Sequence, residues 1–326
     1  MDSLNENPNE RNIRELTAEN IVPAVIGPTA AGKTRAAFEL ARALGGEIIS
    51  VDSRQVYRYL DIGTDKISAA DRKIVPHHLI DIADPDEVFT AADFVRLTEG
   101  AVKRIRARGK IPILAGGTPM YYKALSGCVL SDGIPSDEET RKKLYAEDIA
   151  NLRRKLREAD AASAERIHPN DKLRISRALE IYILTGRPAS EIYARNDKIG
   201  ASLKVFYFGF TSPRERLYEK ISARAAGQFA AGYADEVKWL LDNGYGPELP
   251  ALQGFGYREL TEYIHGKITL DEALLGDIRA TKAFSKRQMT WFKHFSPAIW
   301  YDMSVISLED AVNGMIGIIT GGANSV

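Results

Sequence analysis

The sequence is poor in the features that mark disulfide-rich, metal-binding or strongly charged proteins. It contains one cysteine, Cys128, which excludes an internal disulfide and a zinc site built on cysteine pairs. A lone cysteine usually packs as a small buried hydrophobe, and we expect that role here. The 44 basic side chains are balanced by 44 acidic ones, so the net charge gives no overall attraction to nucleic acid or anionic lipid. A local basic stripe remains compatible with this balance.

Long hydrophobic runs are also absent. No segment approaches the roughly 20 apolar residues that span a bilayer, and the first residues lack the basic flank and apolar stretch of a secretory signal. We therefore expect no membrane association and a cytoplasmic location. The composition, 44% hydrophobic and 27% charged, is that of an ordinary globular protein, and 326 residues suggest about two domains.

Short apolar runs alternate with helical patterns in the first part of the chain. Residues 1–20 are polar and without periodicity, and we expect a mobile extension there. Apolar runs then occur at 21–27, 46–52, 77–82 and 111–117, separated in places by helical stretches such as 33–44 and 91–108. Thr90 and Asp93 form the pattern of a capping box at the start of the second of these helices. Alternating strands and helices predict a parallel α/β sheet flanked by helices.

The pattern changes after Gly127. Residues 137–195 contain no convincing strand and are rich in Arg, Lys, Glu and Ala. An alternating aromatic strand at 203–210 then returns the chain to the sheet, and helical segments follow. We therefore predict an α/β core made of 21–129 and 203–326, with an all-helical domain inserted at 130–202.

A phosphate-binding loop follows the first predicted strand. The sequence fits the pattern G-x-x-x-x-G-K-[ST], in which backbone N–H groups and a helix N-terminus face an anion. A lysine then adds a compact positive charge, and the last hydroxyl is suited to ligate Mg²⁺. The predicted core is therefore a P-loop fold that holds a di- or triphosphate. The residues of the loop are Gly27, Pro28, Thr29, Ala30, Ala31, Gly32, Lys33 and Thr34.

Most chains with this loop use ATP or GTP, and they usually carry a carboxylate at the end of a later strand. Here the carboxylate lies at a different strand. The strand at 111–115 runs into Gly116, Gly117 and Thr118 instead of ending in an acid. This turn suits close approach by a ligand, or it is a plain strand-to-helix turn. The acid is Asp52, directly after the second strand, where strand ends converge on one crevice. Asp52 is thus either a base beside a leaving phosphate or the cap of the following turn.

Taken together, the sequence blocks resemble the bacterial tRNA dimethylallyltransferases, also called tRNA isopentenyltransferases. The resemblance extends from about Val22 to Tyr301. It implies transfer of a dimethylallyl group from dimethylallyl diphosphate to N6 of the adenosine on the 3′ side of the anticodon in tRNA. The blocks are GPTAAGKT (27–34), DSRQVY (52–57), DIGTDK (61–66), PHHLIDI (76–82), AADF (91–94), GGTPMYYKAL (116–125), RIHPNDKLRISRALEIY (166–182), GFGYREL (254–260) and KRQMTWF (286–292).

The resemblance also implies roles for individual residues. The loop, Lys33 and Mg²⁺ held through Thr34 would stabilise the departing diphosphate, the only cofactor being the metal. Arg224 would add a guanidinium to the same diphosphate. Its position in the helical pattern, taken alone, is that of an exposed helix arginine. Asp52 would act as general base toward the adenine amine. By analogy the protein would act as a monomer.

A tRNA-facing surface is implied as well. The segment 279–294 carries five Lys or Arg and no acid, which fits phosphate contact, whereas a basic helix face alone is more often simply solvated. From its residue type we expect Trp291 to pack in the core. The implied contacts to the tRNA anticodon stem-loop are Asp52, Ser53, Arg54, Gln55, Thr118, Arg141, Leu173, Arg174, Ile175, Ser176, Arg177, Gly254, Phe255, Gly256, Tyr257, Arg258, Lys286, Arg287, Gln288 and Trp291.

Several positions depart from the family pattern. Ala31 replaces a common Ser, Lys282 a common Arg, and Tyr59 a usual Gly. The sequence of residues 225–229 also differs from the usual pattern after Arg224, which puts the shape of the prenyl pocket in question. His77 and His78 are expected to be structural, because neighbours on a strand point to opposite faces. Two other functions remain open from the residues alone. One is an ATP-dependent small-molecule kinase in which Asp52 deprotonates a hydroxyl, and the other is an RNA-binding module without catalytic activity.

Overall fold

The computed structural model describes residues 21–127, 137–196 and 203–321. Cys128 and the expected extension at 1–20 lie outside these residues. The described residues belong to two compact units, one formed by the segments up to Tyr122 and from Leu203, and the other by Lys123–Ser202. The second unit starts earlier in the chain than the expected residue 130.

A six-stranded parallel sheet forms the centre of the first unit. Its strand order is β3-β2-β4-β1-β5-β6. Ala24 of β1 lies opposite Leu114 of β4 on one side and Tyr207 of β5 on the other. The predicted parallel sheet is confirmed. The strands are β1 (Val22–Ile26), β2 (Glu47–Ser50), β3 (His77–His78), β4 (Pro112–Ala115), β5 (Val205–Thr211) and β6 (Ala298–Asp302).

The helices of this unit cover the sheet and build a second, smaller core. Buried residues of β1, β5 and the first helix form one apolar cluster. Another cluster contains Val56, Leu60, Tyr233, Val237 and Leu260, beyond the ends of the strands. The helices are α1 (Lys33–Leu44), α2 (Ala69–Ile74), α3 (Ala91–Ala107) and α4 (Pro119–Leu125), then α10 (Arg214–Ala230), α11 (Tyr233–Asp242), α12 (Tyr257–Ile264), α13 (Leu270–Phe292) and α14 (Leu308–Thr320).

Local signals account for most of these elements. α1 has the predicted bounds, because it begins after Gly32 and ends at Gly45, both in the left-handed conformation. The predicted capping box of α3 is confirmed, since the Thr90 and Asp93 side chains each accept from the other's backbone N–H. The predicted strand at 77–82 is wrong beyond His78, because Leu79 and Asp81 have positive φ angles that end the extended chain.

The second unit is helical throughout its described part. Its core is an apolar cluster that includes Leu152, Leu156, Ile175, Leu179 and Ile181. Aspartates at the N-caps start most of its helices, for example Asp160 and Asp171. The helices are α5 (Glu138–Ala146), α6 (Ile149–Ala159), α7 (Ala161–Arg166), α8 (Lys172–Thr185) and α9 (Ala189–Asn196).

Candidate active site

Three loops meet at the carboxyl ends of neighbouring strands. The phosphate-binding loop follows β1, the Asp52 loop follows β2, and the Gly116 turn follows β4, which lies between those two strands. Neighbouring strands are about 4.8 Å apart, so the loops are within reach of one ligand. Two glycines permit the close packing. A Cβ atom on Gly27 would collide with the Phe210 carbonyl, and one on Gly116 with the Val51 carbonyl.

The loops open into a cavity of about 510 Å³. Its far side is formed by helices α10 and α13, together with the segment that precedes α12. The residues that matter below are Thr29, Lys33, Thr34, Asp52, Asp65, Thr118, Arg224, Gln228, Phe255, Asp277, Thr281, Phe284 and Gln288.

Lys33 is the charged centre of the phosphate-binding loop. Its Nζ donates a hydrogen bond of 2.6 Å to the Pro28 carbonyl. Desolvation by burial, and then repulsion from Arg224, lower the pKa of Lys33 to about 7, although Asp52 and Asp65 act in the opposite direction. A diphosphate beside this amine would favour its charged form. The loop therefore holds an amine whose charged form an anionic ligand would stabilise.

Arg224 reaches the same loop from α10. One guanidinium nitrogen lies 2.6 Å from Thr29 Oγ1, and the other lies 3.3 Å from the Asp65 carboxylate. The position of Arg224 in the helical pattern of the sequence favoured an exposed arginine, but the structure places this side chain in the cavity. A planar guanidinium at this point is suited to bind diphosphate oxygens.

Gln288 connects two of the loops from α13. Its Oε1 accepts from the Thr29 N–H at 2.8 Å, and its Nε2 donates to the Gly117 carbonyl at 2.6 Å. The side chain is buried. The resemblance placed it in the tRNA-facing set, whereas in this structure both ends of its amide are used to hold the phosphate-binding loop against the Gly116 turn.

Asp52 both caps its loop and faces the cavity. Its Oδ1 accepts from the N–H groups of Arg54 and Gln55 at 2.8 and 3.3 Å. The capping interpretation is therefore correct for one oxygen, and the Asx turn fixes the direction of the carboxylate. The side chain lines the cavity close enough to Lys33 for its charge to raise the pKa of that amine. Capping and base catalysis are compatible at this residue.

The sequence model of the IPP transferase family matches residues 55–295. The chain belongs to this family. It is 42% identical over 86% of its length to the "tRNA dimethylallyltransferase" of Syntrophobacter fumaroxidans, of which 83% is covered. The solved tRNA isopentenylpyrophosphate transferase of Bacillus halodurans is 37% identical, with a TM-score of 0.68 and coverage of 94% of this chain and 98% of that one. A eukaryotic dimethylallyltransferase, described as acting on tRNA, is 26% identical with a TM-score of 0.78 over 93% of this chain and 80% of its own.

The loop after β2 uses most of its polar side chains within the protein. In this IPP transferase family member, Arg54 donates to the carbonyls of Pro250 and Ala251. The Gln55 amide donates to the Thr64 carbonyl at 3.1 Å. Thr118 Oγ1 accepts from the Ser53 N–H at 3.2 Å, which joins the Gly116 turn to the Asp52 loop. These side chains shape the wall beside Asp52.

The segment Gly254–Arg258 is positioned by a partly buried carboxylate that the sequence analysis did not identify. Glu236 of α11 accepts from the N–H groups of Asp61, Ile62 and Gly63 at 2.8, 2.6 and 3.2 Å. It also accepts from the Tyr257 hydroxyl at 2.7 Å. Tyr257 is therefore buried and fixed in position, and it lines the cavity together with Gly254 and Phe255.

The basic stripe at the end of α13 is exposed. Lys286 and Arg287 face solvent, and the Arg287 guanidinium lies 5.8 Å from the centre of the Phe284 ring. The expectation that Trp291 packs in the core is wrong, because the residue is 38% exposed. Arg258 is also half-exposed and pairs with Glu259 at 2.6 Å.

In the helical unit, the implied RNA-facing residues fall into two groups. Leu173 and Arg174 are exposed on α8, whereas Ile175 and Ser176 are 1% exposed, so their side chains occupy core positions. Arg141 and Arg177 both pair with Glu180, at 3.2 and 2.7 Å. This carboxylate is fully buried, which acts to raise its pKa, but the hydrogen bonds from Arg177 and the Asp137 N–H hold the pKa below the usual value.

Several cavity residues were missed from the sequence. Asp65 lies within one of the recognised blocks but was given no role. Asp277, Thr281 and Phe284 precede Gln288 on α13 at helical spacing, so the same face of the helix could have identified them. His77 and His78 have partners in the Val75 carbonyl and the Glu47 carboxylate, both at 2.7 Å. The structure also shows, for the residues it describes, no helix apolar and long enough to span a membrane.

Proposed function

We propose that this protein transfers a dimethylallyl group from dimethylallyl diphosphate to N6 of the adenosine on the 3′ side of the anticodon in tRNA. The observation that carries the proposal is the convergence of Lys33, Arg224 and Asp52 on one cavity in a member of the IPP transferase family. The two cationic side chains are suited to stabilise a leaving diphosphate, and the carboxylate is suited to accept a proton. A tRNA substrate favours a cytoplasmic protein, and a monomer remains our prediction.

The reaction breaks the allylic C–O bond and forms a C–N bond to the adenine amine. The electron pair of the broken bond leaves with the diphosphate, whose growing charge faces Lys33, Arg224 and the loop N–H groups. Donors that are already oriented toward developing charge usually provide the largest catalytic contribution. As the C–N bond forms, the amine becomes acidic and its proton passes to Asp52.

Mg²⁺ would be held by Thr34 in this proposal. The Thr34 side chain is exposed to the cavity at the first turn of α1, and Asp52 supplies a carboxylate to the same cavity. No cluster of three acidic, histidine or cysteine side chains suited to a metal occurs within 21–127, 137–196 or 203–321. This donor set fits Mg²⁺, which is commonly bound by one or two protein oxygens together with substrate phosphates. When bound, the metal supplies further neutralisation of the diphosphate charge.

The adenine must leave its stack in the anticodon loop to reach Asp52. Extruding an unpaired base costs a few kcal/mol, which backbone contacts can offset. Lys286, Arg287 and the half-exposed Trp291 supply a basic and aromatic surface of the kind that binds single-stranded RNA. We propose that this surface contacts the anticodon stem-loop.

A kinase is not supported. The curated relative and the two solved structures described above are tRNA prenyltransferases by name. A decisive test incubates the protein and Mg²⁺ with unmodified tRNA and labelled dimethylallyl diphosphate, beside a reaction with labelled ATP and the same tRNA. Label in the tRNA of the first reaction supports the proposal. Phosphoryl transfer from ATP in the second reaction, with no label incorporated into the tRNA in the first, would overturn it.

A further inference from the structure

Asp277 is a buried carboxylate for which the proposed reaction has no use. It is 5% exposed and lines the cavity from α13, on the same face as Thr281, Phe284 and Gln288. Gln288 lies eleven positions after Asp277, which corresponds to about 16 Å along the helix. Gln288 contacts the phosphate-binding loop, so this face leads from the diphosphate end of the cavity to Asp277.

The charges of Glu259 and Arg224 act on Asp277 in addition to its burial, and part of its hydrogen-bonding capacity is unused. The Phe255 and Phe284 rings are 5.2 Å apart and form a wall of the cavity. Thr281 Oγ1 donates to Asp277 Oδ1 at 3.1 Å, and no second donor to this carboxylate occurs among the residues the structure describes. Burial raises the pKa of Asp277 to about 6, so the group is mostly ionised at neutral pH.

A purely hydrocarbon ligand would not compensate this carboxylate. A buried carboxylate accepts several hydrogen bonds, and leaving it short of donors in a dry site is costly. A hydroxyl at the end of a five-carbon chain would supply the missing donor. An extended five-carbon diphosphate with a hydrogen bond at each end is on the order of 15 Å long, similar to the span along α13.

We infer that the donor pocket also accepts an allylic diphosphate that carries a hydroxyl on its terminal methyl, and that Asp277 accepts the hydrogen bond of that hydroxyl. The inference rests on the proposed prenyl transfer and adds a second class of donor to it. The chemistry is unchanged: the allylic C–O bond breaks, the bond to N6 forms, and the amine proton passes to Asp52. The hydroxyl stays intact on the transferred group.

The test is a competition between two donors. Unmodified tRNA is incubated with equal concentrations of dimethylallyl diphosphate and (E)-4-hydroxy-3-methylbut-2-enyl diphosphate, and the nucleosides are quantified by mass spectrometry. The product ratio equals the ratio of kcat/KM values. The wild-type protein should transfer both groups. Asp277→Leu should lower the hydroxylated share about tenfold or more while retaining dimethylallyl transfer, because a hydrogen bond to a charged group is lost.

Two further variants sharpen the result. Asp277→Asn keeps the shape of the side chain and should shift the ratio in the same direction by less, which separates the effect from misfolding. Asp271→Asn changes an exposed carboxylate on the same helix and should leave the ratio unchanged. A wild-type protein that transfers only the dimethylallyl group, or an unchanged ratio in Asp277→Leu, would overturn the inference and leave the proposed function intact. Absence of transfer from either donor would overturn both.

Discussion

Lys33 should take up a proton when a diphosphate binds. In the ligand-free protein, desolvation lowers the pKa of this amine from 10.5 to about 7. That difference corresponds to roughly 5 kcal/mol, which the charged amine loses in an empty loop and regains beside an anion. At pH 8 a group with this pKa is about one-tenth protonated. Binding should therefore transfer about 0.9 proton from the buffer to the protein.

Isothermal titration calorimetry measures this uptake directly. Dimethylallyl diphosphate is titrated at pH 8, without tRNA, in two buffers of different ionisation enthalpy, and the difference in heat gives the number of protons. The diphosphate of the ligand is fully ionised at pH 8, so it contributes little to the measured proton uptake. Above pH 7, full uptake would weaken the affinity about tenfold for each pH unit. Between pH 7 and about 10.5 the Lys33 amine binds fewer protons in the native ligand-free protein than in the unfolded chain, so the contribution of this group to the free energy of unfolding should rise with pH.

Two variants control the measurement. Lys33→Met removes the titrating amine and should abolish proton uptake along with much of the affinity. Lys238→Met changes an exposed lysine paired with Asp242 and should leave the uptake unchanged. Tight diphosphate binding at pH 8 with no proton uptake in the wild-type protein would refute the role given to desolvation of Lys33.

Four other changes test the remaining parts of the site. Asp52→Asn should lower transfer about 10²- to 10⁴-fold in single-turnover assays while tRNA binding is retained, and full activity would remove the residue from its role as base. Gln288→Leu leaves two loop groups without their partner and should lower the free energy of unfolding in urea by about 1–3 kcal/mol. Glu236→Gln places an amide against three backbone N–H groups and should cost a similar amount, whereas an unchanged urea midpoint would contradict the anchoring role. Changing Lys286 and Arg287 to Ala should reduce the slope of log K for tRNA against log salt by roughly 1.5 to 2.

The last experiment has a matched control in the chain. Lys103 and Arg104 are an adjacent exposed pair on α3, in the last turns of that helix, where Arg106 contacts the Ile21 carbonyl just before β1. Changing both to Ala should leave the salt dependence nearly as in the wild-type protein. Equal effects of the two double variants would show that the stripe on α13 contributes only general charge.

Local features were predictable because their causes are local. The bounds of α1 follow from glycines at both of its ends, and the start of α3 follows from a reciprocal pair of hydrogen bonds between residues three apart. Asp52 was recognisable because it lies two residues after the end of a strand in a parallel sheet. Strand β6 and helix α14 were not predicted, since a five-residue strand carries little periodic signal by itself.

The sequence by itself determined the P-loop α/β character of the core, the phosphate-binding loop and the carboxylate beside it, because each depends on residues close together in the chain. The family resemblance pointed to Arg224 and Gln288 as site residues, but the tertiary structure decided which groups of the loop they contact. Thr29 is bonded to Arg224, 195 residues away, and to Gln288, 259 residues away. The packing of α10 and α13 against each other sets these contacts, as it sets the burial of Asp277 and the exposure of Trp291. Residue spacing cannot specify them, because helical periodicity gives the face of a helix but not the partner against which that face packs.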